Sequence, residues 1–95
     1  MFSPEQPVSP NVTAISPTAI KVTWCRVNSN KVEIDHYELF IDNELEYSGI
    51  DVIYTAKRLK PFTWYEVKLR ACGVFSNRCS TFSRNRLIMT PRACE

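Results

Sequence analysis

Apolar and polar positions alternate along most of this 95-residue chain. Ile20, Val22 and Trp24 alternate with Lys21 and Thr23, the period-two signature of a half-buried strand with Trp24 inward. Before it, Asn11 to Ser16 reads as a first strand, and Pro17-Thr18 as the turn between them. Ile34, Tyr37, Leu39 and Ile41 define a third strand, closed at Asp42-Asn43, two residues that tolerate positive φ and suit a hairpin turn. Leu45 to Tyr47, ending at Ser48-Gly49, and Val52 to Ala56 are the next two strands. Tyr65 to Cys72 is the sixth. After a loop from Gly73 to Arg78, a last strand ends near Thr90-Pro91. Pro4, Pro7 and Pro10 predict an extended lead-in to an edge strand, because proline fixes φ and removes a backbone donor. Asn28-Ser29-Asn30 reads as a loop. No window carries helical periodicity. Seven short strands at roughly ten-residue spacing predict an antiparallel sandwich.

The segment Leu59-Lys60-Pro61-Phe62-Thr63-Trp64-Tyr65 sharpens that prediction. A leucine, a proline and then a tyrosine lead directly into the alternation of Val67, Leu69 and Ala71. This describes a corner between two strands, with the Tyr65 ring entering the core and its hydroxyl bonding back to nearby backbone, as in the tyrosine corner of β-sandwiches.

Bulk properties add limits more than chemistry. Ninety-five residues suit a single domain, and a 44% hydrophobic chain has enough apolar matter for one core. The net charge of +2 is too mild to imply nucleic-acid or membrane binding, which needs clustered charge. No apolar run approaches the roughly eighteen residues of a membrane-spanning helix. Met1-Phe2-Ser3-Pro4 has neither the basic nor the apolar region of a signal peptide, so a secreted parent is expected to be longer than this chain. Four cysteines and the sequon Asn11-Val12-Thr13 lean towards an oxidising compartment. Asn11 is the candidate glycosylation site.

Taken together, Trp24 on the second strand, Tyr37 and Leu39 on the third, Leu59-x-Pro61-x-Thr63-x-Tyr65, Ala71 and the closing Thr90-Pro91 resemble a fibronectin type III domain. The resemblance runs from about Pro7 to Ala93. It implies an all-β fold, a seven-stranded antiparallel immunoglobulin-like β-sandwich of fibronectin type III type. The core would be built on Trp24, Tyr37, Leu39, Leu59 and Tyr65. Residues 1–6 would be a linker, 7–93 the domain, and 94–95 a link to a following module. An immunoglobulin-like pattern would instead put Trp on the third strand beside a buried disulfide. Here Trp24 points inward, which gives Cys25 the wrong parity for a core bridge. A narrower likeness joins Tyr37-Glu38-Leu39-x-x-Asp42-Asn43, Tyr47-Ser48-Gly49, the run Pro61 to Cys72, Cys79 and Thr90-x-x-Ala93. It is similar to modules of very large extracellular proteins built from repeated type III domains, which often carry an Ala-Cys…Cys pair at this place. The longer loop between Cys72 and Cys79, Val27 at a common proline position, and Cys25 all depart from that pattern.

Four cysteines allow three full pairings. In the expected fold Cys72 ends one strand and Cys79 begins the next, at facing positions within disulfide reach. A Cys72–Cys79 bridge would pin the intervening loop and contribute roughly 2–3 kcal/mol; two reduced thiols are the alternative. Cys25 and Cys94 would lie at opposite poles, separated by strands of roughly 20 Å, too far to bridge. Cys25 is then a free thiol, and Cys94 is free or belongs to the link with the next module. A catalytic thiol needs a base nearby, and the one histidine, His36, is expected to face solvent beside Tyr37.

Other constellations are weaker. Metal binding needs several ligands at suitable spacing, and Cys72-x6-Cys79 with one histidine far away in sequence does not supply it. Asp42, Glu44 and Glu46 alternate and would form either a calcium half-site or a solvated turn and edge strand. Lys57-Arg58-x-Lys60 is either an anionic-polysaccharide contact or a solvated face. Val74, Phe75, Asn77 and Arg78 form the candidate binding loop, with Phe75 either an exposed anchor or packed back over the sheet end. No catalytic residue, cofactor or metal site is expected.

The function these features imply is a non-catalytic extracellular module, a spacer and protein–protein adhesion unit in a tandem array. Its partners would be neighbouring type III modules and extracellular or cell-surface proteins, and it would be monomeric in isolation. A ligand-binding receptor ectodomain is the alternative, although Ser83-Arg84-Asn85-Arg86 lacks the Trp-Ser-x-Trp-Ser signature. An intracellular type III domain with reduced thiols is another.

Overall fold

Alternating burial runs through the chain in the computed structural model, which describes residues 6–27, 33–73 and 78–93. Its strands are β1 (Asn11–Ser16), β2 (Ala19–Thr23), β3 (Ile34–Ile41), β4 (Glu44–Gly49), β5 (Ile53–Ala56), β6 (Trp64–Gly73) and β7 (Arg86–Met89). They form a three-stranded sheet, β1-β2-β5, and a four-stranded sheet, β4-β3-β6-β7. Every pairing is antiparallel. Among the described residues no helix is long and apolar enough to cross a membrane.

The inward-facing set follows from strand parity. Ile20 and Val22 of β2, Tyr37, Leu39 and Ile41 of β3, and Val67, Leu69 and Ala71 of β6 form one buried cluster with Trp24 and Ala56. Full burial of an aliphatic side chain stabilises by about 1.5–3 kcal/mol, so Ile20, Val22, Leu39, Val67 and Leu69, each fully buried, dominate the core. Trp24 lies just beyond β2 and its backbone N–H donates to the carbonyl of Val52 at 3.0 Å. Its ring meets Tyr37 edge-on at 6.1 Å and Tyr47 at 6.2 Å. Leu59 and Tyr65, expected in the core, are partly buried against it.

Three connections fix the register. Asp42 and Asn43 take φ values of 52° and 66°, the left-handed pair that lets β3 turn tightly into β4. At the corner, the Tyr65 hydroxyl accepts the N–H of Lys60 at 2.7 Å. Thr90 is fully buried; its hydroxyl donates to the Lys60 carbonyl at 2.6 Å and accepts the Thr63 N–H at 3.0 Å. The corner is therefore tied to the residue that follows β7.

Between Cys79 and β7 the chain does not form a regular strand. Ser80 and Ser83, both buried, donate their N–H groups to the carbonyls of Ala71 and Leu69. Their hydroxyls accept the N–H groups of the same two residues, at 3.0 and 3.1 Å. Serine side chains thus stand in for ladder carbonyls, which keeps buried β6 donors satisfied. The lead-in is also part of the fold: Pro7 and Pro10 are buried, and Gln6 and Ser9 donate to the carbonyls of Phe82 and Arg84.

Candidate functional site

The pole of the sandwich where β6 ends carries Cys25, Cys72 and Cys79. Cys72 and Cys79 face each other in an antiparallel bridge and their sulfurs are bonded. Gly73 N–H donates to the Arg78 carbonyl at 2.9 Å, which closes the same hairpin from the backbone. Arg78 is exposed, whereas Val74, Phe75 and Asn77 of the expected binding loop lie outside the described residues, as does Cys94. Cys25 is exposed and unbonded. Asn11, the first residue of β1, is exposed.

Pairing across β3 and β6 builds a feature that linear spacing concealed. His36 lies directly opposite Cys72, and Glu38 opposite Arg70, all on the outer face of the four-stranded sheet. His36 Nδ1 lies 2.7 Å from the Asp35 carboxylate and Nε2 lies 3.2 Å from that of Glu38. The Arg70 guanidinium donates to the other Glu38 oxygen at 2.7 Å. The Asp35 hydrogen bond outweighs partial burial and raises the His36 pKa above its ordinary value. Partial burial opposes ionisation of Glu38, but hydrogen bonds from Arg70 and His36 prevail and lower its pKa. His36 therefore does not simply face solvent, as its neighbourhood in sequence suggested. It joins an ordered charged row, and with Glu38 and Cys72 it forms the group of potential metal ligands among the described residues.

Further along this face, Phe82 packs edge-on against Phe40 at 5.1 Å. Lys68 Nζ sits 4.3 Å from the centre of the Phe82 ring, and the Arg70 guanidinium 5.0 Å from it. These cation–π contacts cover the middle of the sheet. At the far pole the face becomes apolar, with Trp64 and Leu87 each 61% exposed. Phe62 lies at the same end, beneath the Arg92 guanidinium at 4.1 Å.

The remaining expected sites do not converge. Asp42 accepts the Glu66 N–H at 2.9 Å, and Glu46 accepts from the Tyr54 hydroxyl at 3.2 Å, so the alternating carboxylates are engaged separately. Burial, with the Glu46 charge adding to it, raises the Tyr54 pKa. Lys57, Arg58 and Lys60 are exposed. Arg86 donates to the carbonyl of Pro10 at 3.0 Å, tying the start of edge strand β7 to the lead-in.

No protein-family model matches the chain. Usherin of Homo sapiens is 25% identical over 75 residues, 77% of this chain. Usherin of Rattus norvegicus is 29% identical over 65 residues, 66% of this chain. The chain spans about 1% of the length of these curated relatives, the proportion of one module in a multidomain protein. Among solved structures, the sixth fibronectin type III domain of human fibronectin type III domain containing protein 3 superimposes with a TM-score of 0.87 at 27% identity, over 100% of this chain and 92% of that one. With this two-sheet architecture, the tyrosine corner of Lys60 and Tyr65 and these likenesses, the chain has the fibronectin type III fold and resembles the modules of usherin.

Proposed function

We propose that this domain is a non-catalytic extracellular unit, a spacer and protein–protein adhesion module in a tandem array. The observation that carries the reading is the polarity of the sandwich. Residues 6–10 lead in from the end that bears Cys25 and the Cys72–Cys79 bridge. Residues 91–93 leave at the opposite end, beside Phe62. A body entered at one end and left at the other sets a fixed distance between its neighbours. The exposed Phe62 and Trp64 lie where a following module would sit, and aromatic side chains supply most interface hot spots. Partner proteins would be met at the Cys72–Cys79 end or on the outer sheet face. Asn11 is open to glycosylation in the secretory route.

The test is expression in a secretory host, peptide mapping without reduction, and binding to a panel of cell-surface and matrix ectodomains. The expected result is secretion with a linked Cys72–Cys79 peptide, a glycan on Asn11 and retention of at least one ectodomain. Four free thiols together with no retained ectodomain would replace this reading with an intracellular type III domain.

A further inference from the structure

We propose that, once the Cys72–Cys79 bond is reduced, this corner of the four-stranded sheet is a zinc(II) site formed by Cys72, Cys79, His36 and Glu38. The ligand atoms offered by His36, Glu38 and Cys72 all lie within 4.8 Å of one another, and the Cys79 sulfur is bonded to that of Cys72. Zinc–ligand bonds of about 2.0–2.3 Å place tetrahedral ligands roughly 3.3–3.8 Å apart; His36 Nε2 and Glu38 Oε2 are already 3.2 Å apart, and no pair of the three needs to close by more than about 1.5 Å. Strand pairing supplies the geometry. His36 and Cys72 are cross-strand partners, Glu38 is two residues along the same face as His36, and Cys79 faces Cys72 from the other side.

The groups behind these atoms also match a metal centre. Asp35 holds His36 Nδ1 at 2.7 Å, the carboxylate–histidine support that orients metal-bound imidazoles. That leaves Nε2 on the side of Glu38 and Cys72. Arg70 holds Glu38 through Oε1, leaving Oε2 towards His36. Two thiolates and one carboxylate around a divalent ion carry a net charge of −1, which Arg70 offsets.

Both states balance. A dithiol reductant gives two electrons and two protons to the Cys72–Cys79 bond and closes to its own cyclic disulfide, leaving two thiols. Zinc(II) then displaces both thiol protons, and any proton on His36 Nε2, to solvent. The metal undergoes no redox change. The bridge and the ion are alternative ways to clamp the segment at Cys79 to the end of β6, and the ion would also tie in β3.

The test uses cobalt(II) as the spectroscopic stand-in for zinc. The domain is reduced with a phosphine, desalted under argon and titrated. The expected result is a single equivalent bound, with sulfur-to-cobalt charge transfer in the near ultraviolet and intense tetrahedral d–d bands, displaced by zinc. His36→Ala weakens binding about tenfold or more and alters the d–d bands. Asp35→Asn weakens it by about 10- to 100-fold, as outer-shell changes do, with the bands kept. Cys25→Ser changes nothing, and the oxidised domain gives no thiolate bands. Thiolate bands that survive both His36→Ala and Glu38→Gln unchanged, or their absence from the reduced domain, overturn the proposal. If reduction unfolds the domain, circular dichroism on adding zinc decides: refolding supports the site and continued disorder overturns it.

Discussion

Thr90 and Lys60 are joined by a 2.6 Å hydrogen bond from a fully buried hydroxyl to a backbone carbonyl, thirty positions apart in the chain. Lys60 is also held from the other side, where its N–H donates to the Tyr65 hydroxyl. Both polar groups of one peptide segment are thus committed to side chains, and the turn before β6 is fixed to both flanking elements.

Thr90→Val keeps the shape and removes the hydroxyl. It leaves the Lys60 carbonyl and the Thr63 N–H without this partner, and is expected to cost about 1–3 kcal/mol. Tyr65→Phe is expected to cost about 0.5–1.5 kcal/mol, because the Lys60 N–H is more open to water. Urea denaturation measures both. Because the two bonds meet on Lys60, the double variant should lose less than the sum. Strict additivity would mean that the two bonds act independently.

Arg58 and Phe62 take φ values of 62° and 52°, a left-handed backbone that is strained for residues with a Cβ. Arg58 is exposed, so Arg58→Gly should raise stability by up to about 1 kcal/mol. Phe62→Gly relieves similar strain but discards the ring beneath Arg92, and should gain less. Equal gains at the two sites would show that the Arg92–Phe62 contact contributes nothing.

Gly49 lies against the Tyr47 ring, and a Cβ added there would come 2.8 Å from Tyr47 Cζ and closer still to the hydroxyl. Tyr47 is in turn stacked on Tyr54 at 5.1 Å and accepts the Asp51 N–H at 3.2 Å. Gly49→Ala should destabilise by about 1–3 kcal/mol, and much less in a Tyr47→Leu background. A thermal melt of the four proteins reads this out, and a full-sized effect without Tyr47 would locate the clash elsewhere.

His36 and Glu38 give the stability a pH dependence of opposite signs on the two sides. The His36 pKa is raised by folding, so its contribution is complete below the ordinary value of 6.5 and is lost as pH rises through the folded value. The Glu38 pKa is lowered, so its contribution is complete above 4.5 and is lost as pH falls through the folded value. Both are present in full between those limits. Each is worth up to about 1 kcal/mol for such partly open pairs. Melting temperature measured across pH should fall on the alkaline side in the parent and flatten there in His36→Gln. Parallel profiles would disconnect His36 from the effect.

Much of the fold is legible from local sequence. Alternation located the seven strands, and Asp42-Asn43 and Leu59 to Tyr65 announced their turn and corner, because such signals depend on near neighbours. The row of Asp35, His36, Glu38, Arg70 and Cys72 was not legible. It depends on the register between β3 and β6, more than thirty residues apart, and a shift of one position would turn every side chain to the other face. Ser80 and Ser83 escaped for a related reason. Serine is common in turns and loops, and nothing local says that its hydroxyl will replace a strand carbonyl. The spacing Cys72-x6-Cys79 was visible, but not that the lone histidine would lie beside it.

The opposed entry and exit of the chain also bear on how this domain behaves under load. Tension between its ends runs along the strands, so the β1–β2 and β6–β7 ladders are sheared and their hydrogen bonds resist together instead of opening one by one. The Cys72–Cys79 bond, with a sequence separation of 7, locks its loop out of the extensible thread. An oxidised domain therefore releases about 20 Å less length when pulled apart than a reduced one, at roughly 3.5 Å per residue less the 3.9 Å between the bridged Cα atoms. Redox state would set the reach of the opened module as well as its resistance to opening.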